Sequence, residues 1–274
     1  MKLCICSKIL QEYELEEALK ISKEIGYEGI EIFGVEKHLP VDVGMDKVKK
    51  VAKLKDEVGL KVVTLCSYVG GFSEMSDKEC QKQYEDFKRY VELADILNCD
   101  MIRLGPGGPP MPKDAREDHW QRCAYWIRCC ADYSLGSAKR IVLENNWGLV
   151  ATVDSTLKLL RLIERPNVGI NYDPGNIYRF TPDYYGPEAV ARFGNLIFNV
   201  QAKDADITDK DNINLLLGEG KVDYLSIFRA LKKMGYKGYI SAECHREPDD
   251  KMSAVDIANH EYGEIKRLIA LAEL

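Results

Sequence analysis

Eight short runs rich in β-branched and apolar residues recur along this chain, each followed by a longer amphipathic stretch. The runs are KLCICS (2–7), GIEIFG (29–34), KVVTLCS (61–67), DMIRLG (100–105), RIVLEN (140–145), VGINYD (168–173), LIFNVQAKD (196–204) and GYISAE (238–243). Helical periodicity fills the intervals, over 12–25, 46–58, 77–97, 115–137, 153–164, 187–194, 223–234 and 253–272. Strand starts recur about every 30 residues, close to the size of one βα unit. Strands alternating with helices require a parallel sheet. Eight such units within 274 residues predict a closed (β/α)8 TIM barrel, with a doubly wound sheet as the alternative. Gly26, Gly59 and Gly235 fall where helical patterns end, as left-handed C-caps do. Asp223 is placed to cap the stretch that follows it, with Val222 and Ile227 spaced as a hydrophobic staple. No linker or low-complexity tract interrupts the pattern, so 1–274 reads as one domain.

Charge and hydropathy narrow the function classes. A net charge of −6 and a pI near 5.4 argue against nucleic acid as the main partner, because phosphate backbones call for a positive surface. No apolar run is long enough to span a membrane or to serve as a signal peptide, and a cytoplasmic location is expected. The nine cysteines are odd in number, irregular in spacing and contain no Cys-x-x-Cys. They read as reduced, small buried residues.

In a barrel of this kind, reactive groups gather at the C-terminal ends of the strands. Glu144, Asp173, Gln201 and Glu243 stand at or near the ends of the fifth to eighth runs, 29, 28 and 42 residues apart. Asn199, Gln201 and Lys203 alternate with apolar or small residues, so all three share one face. A lone carboxylate at a strand end is commonly a cap or an ion-pair partner, and Asp173 in DPGN also reads as a turn residue. Three carboxylates converging at one rim would repel unless a cation lay among them. With the amide of Gln201 as a neutral fourth donor, the set offers only oxygen, which suits one divalent ion, Mn²⁺ or Mg²⁺.

At these residues the sequence resembles the xylose isomerase-like TIM barrel superfamily of sugar phosphate isomerases and epimerases. The resemblance rests on VLEN (142–145), NYDPGN (171–176), VQAKD (200–204), GEGKVDY (218–224) and YISAECH (239–245), and covers nearly the whole chain. In relatives such as the ketose 3-epimerases, a Glu, an Asp, a His and a second Glu bind one divalent metal, and the two glutamates act as acid and base. By motif position these are Glu144, Asp173, Gln201 and Glu243. Gln201 departs from the pattern, since many relatives carry His there, often in HxHxKD, and Asn199 replaces the other His. Hydroxypyruvate isomerase-like members also have Gln. Asn176 stands where several epimerases have a substrate-binding His.

The resemblance implies a sugar isomerase or epimerase that removes a proton next to a carbonyl, with Glu144 and Glu243 on opposite faces of a flat enediolate. Candidate substrate contacts are Asn176, Lys203, His245, Arg103, Trp147 and Glu31, the last also a candidate for orienting a ligand. Arg103 has Glu144 as an alternative partner, and Lys203 has Asp173 or Asp204. The partner implied is a small sugar or sugar derivative, and the assembly a homo-oligomer, dimer or tetramer. A lyase that eliminates water from an inosose, or a group β to a ketone in a 3-keto-glycoside, begins with the same proton abstraction. A non-catalytic sugar-binding homologue is the remaining alternative. An apurinic endonuclease is disfavoured, because its three metals need more histidines than His38, His119, His245 and His260 provide.

Overall fold

The computed structural model describes residues 1–208 and 215–273. Eight strands close into a barrel in chain order: β1 (Lys2–Cys6), β2 (Gly29–Phe33), β3 (Lys61–Gly70), β4 (Met101–Gly105), β5 (Arg140–Glu144), β6 (Val168–Tyr172), β7 (Ile197–Ala202) and β8 (Tyr239–Ala242). All neighbours are parallel, and β8 pairs back onto β1 through Cys4 and Ser241. Around the strands lie α1 (Leu15–Ile25), α2 (Met45–Val58), α3 (Asp77–Ile96), α4 (Glu117–Leu135), α5 (Val153–Ile163), α6 (Pro174–Phe180), α7 (Pro187–Phe193), α8 (Tyr224–Met234) and α9 (Ala254–Glu273). Among the described residues no helix is long and apolar enough to cross a membrane.

Gly26, Gly59 and Gly235 close α1, α2 and α8 with φ of 113°, 69° and 83°, a region open to Gly without steric cost. Asp223 caps α8 by accepting a bond from the Ser226 N–H at 3.0 Å. Two local expectations change. The turn formers of DPGN start a helix, α6, because Pro174 at its first position is preset for helical φ and Asp173 caps the Asn176 N–H. The seventh strand is shorter than 196–204: Leu196 belongs to a 3₁₀ turn, and Lys203 and Asp204 leave the ladder.

Interior side chains form tiers. Cys4, Val63, Met101 and Val142, packed with Phe198 and Tyr239, make an apolar cluster at the lower end. The β6–β7 register shifts between Ile170 and Asn171, which skips Phe198 and pairs Asn171 with Asn199. Through this bulge Phe198 packs with the lower cluster while Asn199 faces the polar tier above it. All nine cysteines are free, and eight of them are buried.

Candidate active site

The ends of β5, β6 and β8 bring three carboxylates together. Glu144 is the last residue of β5, and Asp173 and Glu243 directly follow β6 and β8. Each offers an oxygen lying within 4.8 Å of the other two. Two cations hold them. Lys203 Nζ lies 2.8 Å from Glu243 Oε2 and 2.9 Å from Asp173 Oδ2. Arg103 Nη1 lies 2.9 Å from Glu144 Oε2 and 3.9 Å from Glu243 Oε1. His245 Nε2 is also 3.9 Å from Glu243 Oε1.

Burial and these cations set the protonation states. Burial pushes the Asp173 carboxyl up to about 6; the Lys203 charge opposes this and the Glu243 charge adds to it. Burial would raise Glu243 as well, but Lys203, then His245 and Arg103, outweigh it and hold that carboxyl well below the usual range. Glu243 is thus a carboxylate at neutral pH. Lys203 stays charged: burial works against the ammonium, yet Asp173 and Glu243 raise its affinity for the proton.

Gln201 lies on β7, fully buried, two residues before Lys203. Its Nε2 donates to Glu31 Oε2 at 2.9 Å, while its buried Oε1 has no hydrogen-bond partner. Glu31 also accepts from Asn199 Nδ2 at 2.7 Å and Ser241 Oγ at 2.7 Å. Burial raises Glu31 to about 7, against the bonds from Ser241 and Gln201. This tier fixes the orientation of the Gln201 amide: with the nitrogen committed to Glu31, the oxygen is left free. Cys6, Glu31 and Cys66 likewise bring potential ligand atoms within 4.8 Å of one another, all fully buried.

Above the carboxylates opens a cavity of about 640 Å³. Of the residues expected at the site, Glu144, Glu243, Arg103, His245 and Trp147 line it, whereas Asp173, Gln201, Lys203, Asn176 and Glu31 are buried and do not. Asn176 is buried against Asp173, to which its backbone N–H donates at 3.0 Å. Lys203 takes the ion-pair alternative, with Glu243 as a partner that sequence reasoning did not name, and Arg103 takes Glu144. The same cavity is lined by Lys8, Phe33 and Tyr68, which sequence reading missed; Tyr68 is 64% exposed and Trp147 50%. An aromatic residue left this open at a cavity mouth offers a flat apolar face to a ligand.

Further residues position the charged groups. Asn145 clamps the backbone of Asp173, donating to its carbonyl at 2.6 Å and accepting from its N–H at 3.0 Å. The Tyr224 hydroxyl does the same for Lys203, with both bonds at 2.7 Å. Both residues sit inside quoted motifs, VLEN and GEGKVDY, but nothing in their spacing reveals the partner. Gly175 packs so tightly on this segment that a Cβ would overlap the Lys203 carbonyl oxygen. Gly175→Ala is therefore expected to destabilise the protein by about 1–3 kcal/mol through overpacking, readable as a lowered thermal midpoint.

A family model described as the xylose isomerase-like TIM barrel matches residues 19–266, and the chain belongs to this family. Among curated relatives, the 2-oxo-tetronate isomerase of Haemophilus influenzae is 26% identical over 225 residues, 74% of this chain and 79% of the relative. The inosose dehydratase of Clostridium beijerinckii is 21% identical over 269 residues, 87% and 84% of the two chains. Among solved structures, an IolI protein with a bound zinc atom superposes with a TM-score of 0.83 at 19% identity, covering 98% of each chain. An L-ribulose 3-epimerase superposes at 0.82 and 19% identity, over 99% of this chain and 95% of that one.

Proposed function

We propose that this chain is a divalent-metal-dependent isomerase or epimerase that moves a proton next to the carbonyl of a sugar or sugar-like substrate. The observation that carries the reading is the trio Glu144, Asp173 and Glu243, with oxygens within 4.8 Å of one another and two of the three lining the cavity. The donor set fits a hard ion. The three carboxylates, with the free and buried Oε1 of Gln201, supply oxygen alone. Glu144, Asp173, Gln201 and Glu243 would hold the ion, Mn²⁺ or Mg²⁺ by this chemistry. When bound, it supplies Lewis-acid polarisation of the substrate's oxygens.

The proton transfers belong to the two glutamates that reach the cavity. Glu144 and Glu243 approach it from β5 and β8, so a planar enediolate between them presents one face to each. One carboxylate takes the proton from carbon and the other returns one, to the same carbon for an epimerase or to its neighbour for an isomerase. Arg103 contacts Glu144 and approaches Glu243, and its charge helps keep Glu243 ionised. The 2-oxo-tetronate isomerase among the relatives supports this class. A dehydratase is the second reading. It is favoured by His245, which lines the cavity with its Nε2 3.9 Å from Glu243 Oε1 and without a hydrogen bond, a place from which an imidazole could assist a departing hydroxyl.

The test is exchange of carbon-bound hydrogen in D₂O, followed by proton NMR, on a panel of ketoses, 2-oxo sugar acids and inososes with Mn²⁺ present. Deuterium entering next to the carbonyl is expected, with product stereochemistry separating isomerase from epimerase and loss of water marking the dehydratase. Elemental analysis after Mn²⁺ loading should give about one equivalent, strongly reduced in Gln201→Ala. A protein that takes up no metal and exchanges no deuterium would sink the reading.

A further inference from the structure

We propose that Lys203 is a built-in counter-cation that competes with the divalent ion for Asp173 and Glu243, so that metal binding requires release of the Lys203 side chain and Lys203 sets the metal affinity of the site. This rests on the metal-binding reading above. The ammonium is shared almost equally between two of the three carboxylates, at 2.8 Å from Glu243 and 2.9 Å from Asp173, with only 7% of its side chain exposed. A divalent ion held by these same two oxygens would have to lie close beside the ammonium that now bridges them, where a dication and an ammonium repel strongly.

Charge counting points the same way. Three carboxylates face two cations, Lys203 and Arg103. Adding a dication with both cations retained would set four positive charges against three negative. Releasing Lys203 leaves three against three. The main chain of Lys203 cannot follow its side chain out. Its N–H and carbonyl are both bound to the Tyr224 hydroxyl, and Gly175 packs on that carbonyl. The movement is therefore confined to the flexible four-carbon stem. Rotating away from Asp173, the stem can carry the ammonium toward the cavity. There it would meet an oxygen of the substrate.

The experiment is isothermal titration of chelator-stripped protein with Mn²⁺, for wild type, Lys203→Met and Lys203→Arg, with thermal melts recorded in EDTA and in Mn²⁺. Lys203→Met is expected to bind Mn²⁺ at least about tenfold tighter than wild type, to melt lower than wild type in EDTA, and to recover in Mn²⁺. Lys203→Arg, which keeps the charge, should stay near wild-type affinity. Equal or weaker binding by Lys203→Met would overturn the competition while leaving the metal site intact. Absence of Mn²⁺ binding in wild type and in Lys203→Met alike would instead overturn the metal-binding reading and this inference with it. Should Lys203→Met fail to fold in either condition, Lys203→Gln, neutral and polar, takes its place under the same criteria.

Discussion

Glu144→Gln and Glu243→Gln are each expected to lower kcat/KM by about 10²–10⁴-fold, the range a positioned acid or base contributes. Both carboxylates line the cavity, whereas Asp173 does not. The two variants should differ in stability. Glu243 shares the Lys203 ammonium with Asp173 and is only 3% exposed, so its amide leaves a buried charge with one partner fewer. Breaking a buried pair in this way costs about 3–5 kcal/mol. Glu144 is 11% exposed, and its partner Arg103 keeps Glu243 within 3.9 Å, so the cost should be smaller. The checks are deuterium exchange into substrate for activity and thermal unfolding for stability. Retention of wild-type exchange by either variant would remove that glutamate from the proton-transfer pair.

Asp204→Ala should produce the largest loss of stability in the segment that follows Lys203. The Asp204 carboxylate accepts bonds from four backbone N–H groups: Ala205 at 2.9 Å, Gly218 at 2.9 Å, Gly220 at 3.0 Å and Val222 at 3.2 Å. It thereby ties the strand end carrying Lys203 to the turn that leads into α8. Gly220 is close enough that a Cβ would overlap the carboxylate. Removing the acceptor strands several partly buried donors, at about 3–4 kcal/mol in all. For a chain of this size that corresponds to a fall of roughly 10 °C in Tm. Asp204→Asn, which keeps one acceptor oxygen, should lose about half as much. A change in Tm within error for Asp204→Ala would show that the turn is held by something else.

Much of this arrangement is readable in the residues themselves. The eight strand-helix units repeat in sequence because each strand of a barrel must be crossed over by a helix before the next parallel strand can pair. The positions of Glu144, Asp173 and Glu243 are legible for a similar reason: each closes an apolar run, and alternation sets which face it takes. Asp223 and the three C-cap glycines are local devices, and local chemistry suffices to find them. The start of α6 was less legible, because Asp, Pro, Gly and Asn are as much turn formers as helix starters.

What the chain determines alone is therefore the barrel and the set of groups at its rim, since both follow from near-neighbour periodicity. Only the tertiary structure decides how those groups are paired. Gln201 meets Glu31 across 170 residues of sequence, and Lys203 meets Glu243 across 40. These contacts depend on barrel closure, on the β6–β7 bulge and on strand stagger, none of which leaves a periodic signal. The same alternation that points Asn199, Gln201 and Lys203 inward cannot say which becomes a scaffold bond, a free oxygen or a cation. That division is made by the depth at which each side chain meets the opposite wall. Burial there makes every unpaired charge costly, so the partners within reach determine the chemistry.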